Sequence, residues 1–315
     1  MSEFINSTGF MLVVYSNKNS ALFGKASKNV ISEYKDKEGV TGVIYDDFDA
    51  KNERVQEWTK RFPGINIYKI APRRKTLRMD DKIHLSESVG HSEIIPKWYT
   101  KIEDIPKTTA PNQLYFVKKR GSTAARGVSA HRYKDLNSVD VSNCIIQEDM
   151  MNPHLYENRR YKIRVYVLLR KGKMYINQKA WCSLGGLDYR KCDEKMTDQE
   201  IKDINIIYQA PGRKWFVLSD IDNYTKIFNS MALRLKELKK TYSEKIDSIE
   251  DNEFTLLGVD YVIDDKYNAY IIEINHRSNY HHPDDIVEKV DLPALQDTLK
   301  MLVDGTTKNT SYVEV

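Results

Sequence analysis

The chain has 315 residues, of which 41% are hydrophobic and 30% are charged, proportions typical of a globular protein and not of a disordered one. Its net charge is only +4, from 49 basic and 45 acidic residues, which gives no argument for nucleic-acid binding. The sequence contains no apolar run of about 18 residues and no signal-peptide pattern at its start, so we expect no membrane span and a cytoplasmic location.

The three cysteines form no pair at metal-ligand spacing. Cys144, Cys182 and Cys192 are therefore expected to be reduced thiols, and a zinc site is disfavoured. The chain is longer than one typical domain, so we expect two or three subdomains.

Strands alternate with helices in the first part of the chain. Apolar runs at 11–15, 42–45 and 65–70 predict strands, and helices are predicted at 21–34 and 50–61. This order is typical of a small α/β unit with a mainly parallel sheet. The proline-rich residues 71–111 predict connecting structure with short helices at most, and a domain boundary near residue 110.

Strands dominate the second part. They are predicted at 114–118, 144–147, 164–169 and 174–178, and an amphipathic helix is predicted at 224–244. The polar residues 305–315 are expected to fray.

The strand at 114–118 delivers Lys118 to a loop of small residues. Gly121 and Gly127 bound this loop, which includes Ser122, and its backbone N–H groups are suited to phosphate oxygens. The lysine precedes the glycines, so the loop is not a P-loop. A plain basic hairpin is the alternative, and the absence of interleaved aromatic residues argues against RNA binding.

The strand at 144–147 leaves its sheet before a proline. At such an exit, main-chain groups of Gln147, Glu148, Asp149 and Met150 are expected to be unpaired and suited to the edge of a purine. The alternative is an ordinary strand end.

Alternation along the next strand places three cations on one face. Arg160, Lys162 and Arg164 repel each other unless an anion neutralises them, so a bound polyphosphate accounts for the pattern. A solvated edge strand accounts for it equally well.

The most informative pattern is a hairpin formed by residues 259–263 and 270–274, with a polar loop at 264–268. Alternation places Glu273 and Asn275 on one side and Ile272 and Ile274 on the other, and antiparallel pairing brings Asp260 near the first two. Two carboxylates and an amide oxygen suit Mg²⁺. The alternative is a hairpin that carries solvated acids.

Taken in order, these motifs resemble the ATP-grasp enzymes, and in particular the tubulin-tyrosine ligase-like family of amino-acid ligases. The resemblance covers about residues 114–280: the strand lysine, the hinge at 146–153, the strand at 160–169, and the hairpin Gly258-Val259-Asp260 with Glu273-Ile274-Asn275. It implies a mixed α+β and α/β ATP-grasp fold. An α/β pre-grasp unit would span 1–110, with Asp81-Lys82 near its end, and a grasp domain would span 111–315. The grasp domain would divide into a lid-like part at 111–150 and a metal-binding part at 151–315.

The resemblance also implies the chemistry. ATP and Mg²⁺ would be the cofactors, with the metal on Asp260, Glu273 and Asn275, and a carboxylate would become an acyl phosphate that an amine captures as an amide. The carboxylate and amine would come from an amino acid, a peptide or a protein, and the bond would form on a peptide or protein terminus.

Individual residues receive roles from the same resemblance. Lys118 would hold the α and β phosphates, and Arg164 the γ-phosphate. The Glu148 carbonyl and Met150 amide would read adenine, and Lys179 or Arg277 would address the substrate carboxylate.

This chain departs from the family pattern in three places. Lys162 replaces an aspartate that reaches the ribose, Glu148 replaces a lysine, and His276-Arg277-Ser278-Asn279 replaces the usual continuation after the hairpin. Two other functions therefore stay open, an ATP-grasp kinase acting on a hydroxyl and a nucleotide-binding protein without catalysis. The histidines His276, His281 and His282, near a Pro-Asp-Asp turn, are interpreted as solvated surface residues.

Overall fold

The computed structural model describes residues 2–7, 9–46, 50–76, 79–121, 127–206, 214–278 and 280–315. The strands are β1 Ser2–Ile5, β2 Met11–Ser16, β3 Val40–Tyr45, β4 Asn66–Ile70, β5 Trp98–Tyr99, β6 Leu114–Lys119, β7 Val128–Arg132, β8 Cys144–Glu148, β9 Tyr161–Arg170, β10 Lys173–Leu184, β11 Trp215–Val217, β12 Glu253–Ile263, β13 Ala269–Asn275 and β14 Tyr312–Glu314. The helices are α1 Ser20–Glu33, α2 Ala50–Arg61, α3 Arg73–Thr76, α4 Lys82–Val89, α5 Asp198–Ile204, α6 Tyr224–Thr241, α7 Ser243–Asp247, α8 Asp284–Ile286 and α9 Leu292–Asp304.

One large sheet runs through most of the described chain, in the order β1-β2-β3-β4-β12-β9-β10-β11. Strands β2, β3 and β4 are parallel, as the alternation of strands and helices predicts. Strand β12 pairs with β9 along one edge, and its other edge pairs first with β4 and then with β13. The end of β13 therefore lies beside the carboxyl end of β4.

A second, antiparallel sheet has the order β5-β8-β6-β7. Its strand β5 precedes the predicted boundary at residue 110, whereas β6, β7 and β8 follow it. The division into domains stays a prediction. The mixed fold class is confirmed.

The strands that carry the site are buried on both faces of the large sheet. Val165, Val167 and Leu169 of β9 pack on the side of α6, and Tyr166 and Leu168 pack on the side of α1 and α9. Helix α6 buries its apolar stripe, as predicted, with Ile227, Met231, Leu235 and Leu238 fully enclosed.

The end of the chain differs from the expectation that it frays. Strand β14 pairs with β10, with Tyr175 opposite Glu314, and the buried hydroxyls of Tyr312 and Thr298 are hydrogen-bonded at 2.9 Å. A polar composition did not reveal this pairing, because one buried tyrosine and a few backbone bonds suffice for a three-residue edge strand. None of the helices in the described ranges combines the length and apolar character needed to cross a bilayer.

Candidate functional site

A pocket lies between the two sheets, with β6, β7 and β8 on one side and β9, β12 and β13 on the other. Phe116, Val128 and Ile263 are among its apolar walls. The side chains of Lys118 and Glu273 line its charged end. The pocket therefore offers apolar and charged surfaces to the same ligand.

Lys118 projects from β6 and is buried. Its ammonium group donates to the Gln147 side-chain oxygen at 2.5 Å and to the Ile272 carbonyl at 3.3 Å. Burial lowers the pKa of Lys118 to about 8; Glu273 opposes this shift, and Lys82 and Lys162 reinforce it. Lys118 is thus a cation held in a place where an added anion would stabilise its charge.

The hairpin of β12 and β13 brings the three predicted metal-ligand residues to neighbouring positions. Asp260 lies directly opposite Glu273, and Asn275 lies opposite Gly258, two residues further along the same pair of strands. Antiparallel pairs that lie opposite each other project to the same face of the sheet. The antiparallel pairing expected for residues 259–263 and 270–274 is therefore present.

A β-bulge changes one detail of this hairpin. Tyr261 pairs with Ile271 whereas Asp260 pairs with Glu273, so Ile272 is an extra residue. Ile272 lines the pocket together with Glu273. The expectation that Ile272 points away from Glu273 is therefore wrong, because the inserted residue interrupts the alternation.

Asp260 is completely buried between two cations. Arg164 forms a bidentate pair with it at 2.5 and 2.7 Å, and the Lys162 ammonium lies 3.6 Å from it. Burial raises the pKa of the Asp260 carboxyl, but Arg164 and Lys162 together outweigh burial and lower it. Asp260 is therefore ionised in the folded protein.

Arg160 lies at the other end of the same strand face. It donates to both oxygens of Asp149, at 2.6 and 3.1 Å, and to the Met150 carbonyl at 2.6 Å. Carboxylates of the protein thus neutralise two of the three cations of this face, Arg160 and Arg164. The interpretation that the row needs a bound anion is wrong for these two, because carboxylates outside this strand already supply the negative charge.

The exit of β8 is more closely paired than its sequence suggests. The Glu148 amide donates to the Lys97 carbonyl at 2.8 Å, and the Asp149 amide donates to the Leu114 carbonyl at 2.9 Å. The expectation of unpaired donors is therefore wrong for these two residues, since Lys97 and the first residue of β6 provide acceptors. Gln147, Glu148, Asp149 and Met150 all line the pocket.

The loop after β6 is described only at its ends. Gly121 has a φ of 68°, a left-handed conformation that favours glycine, and the Lys119 amide donates to the Gly127 carbonyl at 2.8 Å. Ser122 lies outside the described residues, so the predicted cover over the phosphates stays a prediction.

Lys82 joins the site from the first residue of α4. Its ammonium group lies 3.2 Å from a Glu273 oxygen, and it lines the pocket. Asp81 caps this helix by accepting from the Ile83 and His84 amides. The Asp81-Lys82 pair was the available sequence signal, but nothing in the spacing indicated its proximity to β13.

The two residues proposed for a substrate carboxylate lie in different places. Arg277 follows the hairpin and donates to the Asn17 side chain at 2.5 Å and to the Tyr45 carbonyl at 3.2 Å. Lys179 is exposed and lines another cavity, with Tyr224 and Phe228. The structure does not bring Lys179 into the pocket.

Residues 276–278 and 280–282 lie against the large sheet. The Ser278 hydroxyl lies 3.5 Å from an Arg164 nitrogen, and a Cβ on Gly258 would meet that hydroxyl at 2.6 Å, so this close approach requires glycine. His276 is buried and bonded to the Thr76 hydroxyl at 2.7 Å, and the His282 side chain is 5% exposed. Of the three histidines interpreted as solvated, only His281 is exposed.

Comparisons with known proteins agree with this architecture. The model of the tubulin-tyrosine ligase family matches residues 51–311. Tubulin glycylase 3C of Tetrahymena thermophila is 20% identical over 231 residues, which cover 62% of this chain and 21% of that protein. Tubulin glycylase 3B of the same organism is 22% identical over 234 residues, which cover 62% of this chain and 19% of that protein.

This chain thus spans about a fifth of the length of the curated relatives it matches. The family model covers most of the chain, including the strands β6, β7, β8, β9, β12 and β13 that enclose the pocket. The chain belongs to the tubulin-tyrosine ligase family, a branch of the ATP-grasp superfamily.

Proposed function

We propose that this protein is an ATP-dependent carboxylate-amine ligase that activates a carboxylate of a peptide or protein and joins it to the amine of an amino acid. The observation that carries the proposal is the charge at one end of the pocket. Lys82, Lys118, Lys162 and Arg164 surround the carboxylates of Asp260 and Glu273. This cationic excess suits the phosphates of a nucleotide.

The nucleotide base belongs at the opposite end of the pocket. Phe116, Met150 and Ile263 offer apolar surface there, and the Glu148 carbonyl and Met150 amide are the main-chain groups assigned to the base. Adenine has a flat apolar face and a polar edge, which matches such a wall. The phosphates would then extend towards Lys118, and Arg164 is the residue assigned to the γ-phosphate.

Asp260, Glu273 and Asn275 fit a magnesium ion. Among the described residues, no three His, Cys, Asp or Glu side chains are grouped so that they could hold a metal ion, so the ion would rest on two carboxylates and one amide oxygen. The buried Nδ2 of Asn275 is a donor with no hydrogen-bond partner among the described residues, so it would suit a phosphate oxygen while the amide oxygen holds the ion. When bound, Mg²⁺ neutralises phosphate charge.

The residues of the chain then assist two transfers. In the first, a substrate carboxylate oxygen bonds to the γ-phosphorus while the bond to ADP breaks, and Lys118 and Arg164 stabilise the charge of the transferring group. In the second, the amine nitrogen bonds to the acyl carbon and the phosphate leaves. Arg277, held by Asn17 and Tyr45 next to the hairpin, is the group assigned to the substrate carboxylate.

The names of the relatives suggest the first substrates to test. Both are tubulin glycylases, so we assign tubulin or a glutamate-rich peptide as the carboxylate substrate and glycine as the amine. The test measures ADP release and incorporation of labelled glycine, glutamate or tyrosine into these acceptors, with ATP and Mg²⁺. Nucleotide binding without turnover on any acceptor would contradict the proposal, and a phosphate ester without an amide would identify a kinase.

A second candidate is a nucleotide-binding protein without catalysis. It is favoured by one observation: Arg164 and Lys162 already neutralise Asp260, which leaves less negative charge for a metal ion. The variants Asp260→Asn and Glu273→Gln separate the two candidates. If the protein is a ligase, both variants lose Mg²⁺-dependent turnover. If it is a nucleotide-binding protein without catalysis, the wild type has no turnover, and both variants keep the biological effect of the wild type.

A further inference from the structure

Two lysines lie on the two carboxylates that are assigned to the magnesium ion. The Lys162 ammonium is 3.6 Å from an oxygen of Asp260, and the Lys82 ammonium is 3.2 Å from an oxygen of Glu273. Both lysine side chains are largely buried, with 23% and 10% of their surface exposed. Each carboxylate assigned to the ion therefore already has a cation of the chain beside it.

The position of Lys162 follows from strand pairing. On β9, Lys162 precedes Arg164 by two residues, so both side chains project to the same face of the sheet. Arg164 lies directly opposite Asp260 on β12, which places Lys162 diagonally beside the same carboxylate. The register of two strands of the large sheet thus holds the ammonium group at Asp260.

The same two lysines face the space assigned to the nucleotide. Lys82, Lys118 and Lys162 all line the pocket between the two sheets. Among the described residues at the charged end of the pocket, these three lysines and Arg164 give four cations against two carboxylates. The resulting net charge of +2 offsets most of the charge of a nucleoside diphosphate, which is about −3 near neutral pH.

A divalent cation on Asp260 would lie close to these charges. Arg164 holds both oxygens of Asp260, at 2.5 and 2.7 Å, and Lys162 lies beside one of them. Asp260 is completely buried, so solvent screens the repulsion between the ion and the two cations only weakly. Lys162 and the ion therefore compete for the same carboxylate.

We infer that Lys162 and Lys82 serve as built-in counter-ions for the nucleotide phosphates, so that the protein binds a nucleoside diphosphate without a divalent cation. This inference rests on the nucleotide site of the proposed function. The ammonium groups donate charge-assisted hydrogen bonds to phosphate oxygens. The Asn275 Nδ2 donor, which has no partner within the described ranges, suits a further phosphate oxygen. The ion assigned to this site then adds little to the affinity for ADP.

Calorimetric titration with ADP tests this inference, once in EDTA and once in saturating Mg²⁺. In the wild type, we expect the affinity in EDTA to lie within about tenfold of the affinity in Mg²⁺. In Lys162→Met, the affinity in EDTA should fall about 10- to 30-fold, as expected for the loss of one charge-assisted hydrogen bond. In Mg²⁺ it should fall less than about threefold, because the ion then binds Asp260 without the neighbouring ammonium.

Three further variants control this result. Lys82→Met should show the same pattern as Lys162→Met, and Lys162→Arg, which keeps the charge, should retain the affinity in EDTA within about threefold. Lys173 of β10 provides the matched control, because it lies 3.0 Å from Glu314 but is 52% exposed. Lys173→Met should change neither affinity. Binding in Mg²⁺ also shows that each variant is folded.

Two results would overturn the inference. One is a wild-type affinity that is more than about tenfold lower in EDTA than in Mg²⁺, because the ion would then be the main partner of the phosphates. The other is an equal loss in EDTA and in Mg²⁺ for Lys162→Met, or no loss in either, since Lys162 would then not stand in for an ion. The ligase proposal fails separately: absence of turnover on every acceptor, with ADP binding in EDTA intact, contradicts the ligase and leaves this inference in place.

Discussion

The two ends of the pocket hold buried charges in different proportions. One end of the pocket is assigned to the nucleotide base and is called the base end. There, one cation, Arg160, pairs with one carboxylate, Asp149. The other end is assigned to the nucleotide phosphates and is called the phosphate end. There, Asp260 pairs with both Arg164 and Lys162. Burial raises the pKa of both carboxyls; the single arginine does not overcome it at Asp149, whereas two cations do so at Asp260. The Arg160–Asp149 pair is thus neutral in itself, whereas the phosphate end has more cations than carboxylates.

The largest effect is expected from breaking the pair at the base end. Asp149→Ala leaves Arg160 buried and without its carboxylate, so the free energy of unfolding should fall by about 3–5 kcal/mol in urea denaturation. The double variant Asp149→Leu/Arg160→Met should recover most of this loss, because both charges are then absent.

A matched pair lies next to it at the surface. Arg159 and Asp188 are 3.2 Å apart, but Asp188 is 71% exposed. Asp188→Ala should therefore change stability by less than about 1 kcal/mol. An equal loss of stability in Asp149→Ala and Asp188→Ala would show that the buried pair stabilises the fold no more than the surface pair does.

At the phosphate end, Lys118 should contribute to the binding of ATP and contribute little to the free energy of unfolding. Lys118→Met removes a buried ammonium group with a lowered pKa, so the free energy of unfolding should change by at most about 1 kcal/mol. Affinity for ATP should fall about 30- to 100-fold, as expected for one charge-assisted hydrogen bond of about 2–3 kcal/mol. Calorimetric titration measures this, and unchanged affinity would separate Lys118 from the nucleotide.

Only part of this contrast between the two ends of the pocket was predictable from the sequence. The hairpin was predictable because alternation with period two and a polar loop fix which residues lie opposite each other, and Asp260 does lie opposite Glu273. The Arg160 and Asp149 pair was not predictable, because the chain between them leaves one sheet and enters the other, and no local spacing encodes that approach.

Burial of the histidines also escaped the sequence. Trp181 and Trp215 enclose His282 from β10 and β11, and Thr76 contacts His276 from α3. These partners are distant in the chain, so local composition around a Pro-Asp-Asp turn indicated solvent. The bulge at Ile272 is likewise set by pairing with β12 and leaves no mark in the hydrophobic pattern.

The pH dependence of binding sharpens the comparison further. The pKa of Lys118 is about 8 without ligand, and a bound anion raises it. With this pKa the ammonium form that favours phosphate is nearly complete at pH 7 and mostly lost at pH 9, so ADP affinity should fall up to about tenfold between these two pH values. Above pH 8, binding should take up a proton. Calorimetry in buffers of different ionisation enthalpy measures this uptake, and Lys118→Met should abolish it.

The smallest effect is expected on the KM for the carboxylate substrate, from the residues next to the phosphate end. Arg277 follows Asn275 by two residues and is anchored to Asn17 and Tyr45, whereas Lys179 lies in another cavity. Arg277→Gln should therefore raise the KM for the carboxylate substrate about tenfold and leave ATP affinity unchanged, since a lost charged hydrogen bond is about 1.5 kcal/mol or more. Lys179→Gln should change this KM less than about twofold. Steady-state kinetics with tubulin or the glutamate-rich peptide distinguishes them, and a larger effect at Lys179 would move the carboxylate site to the cavity beside Tyr224.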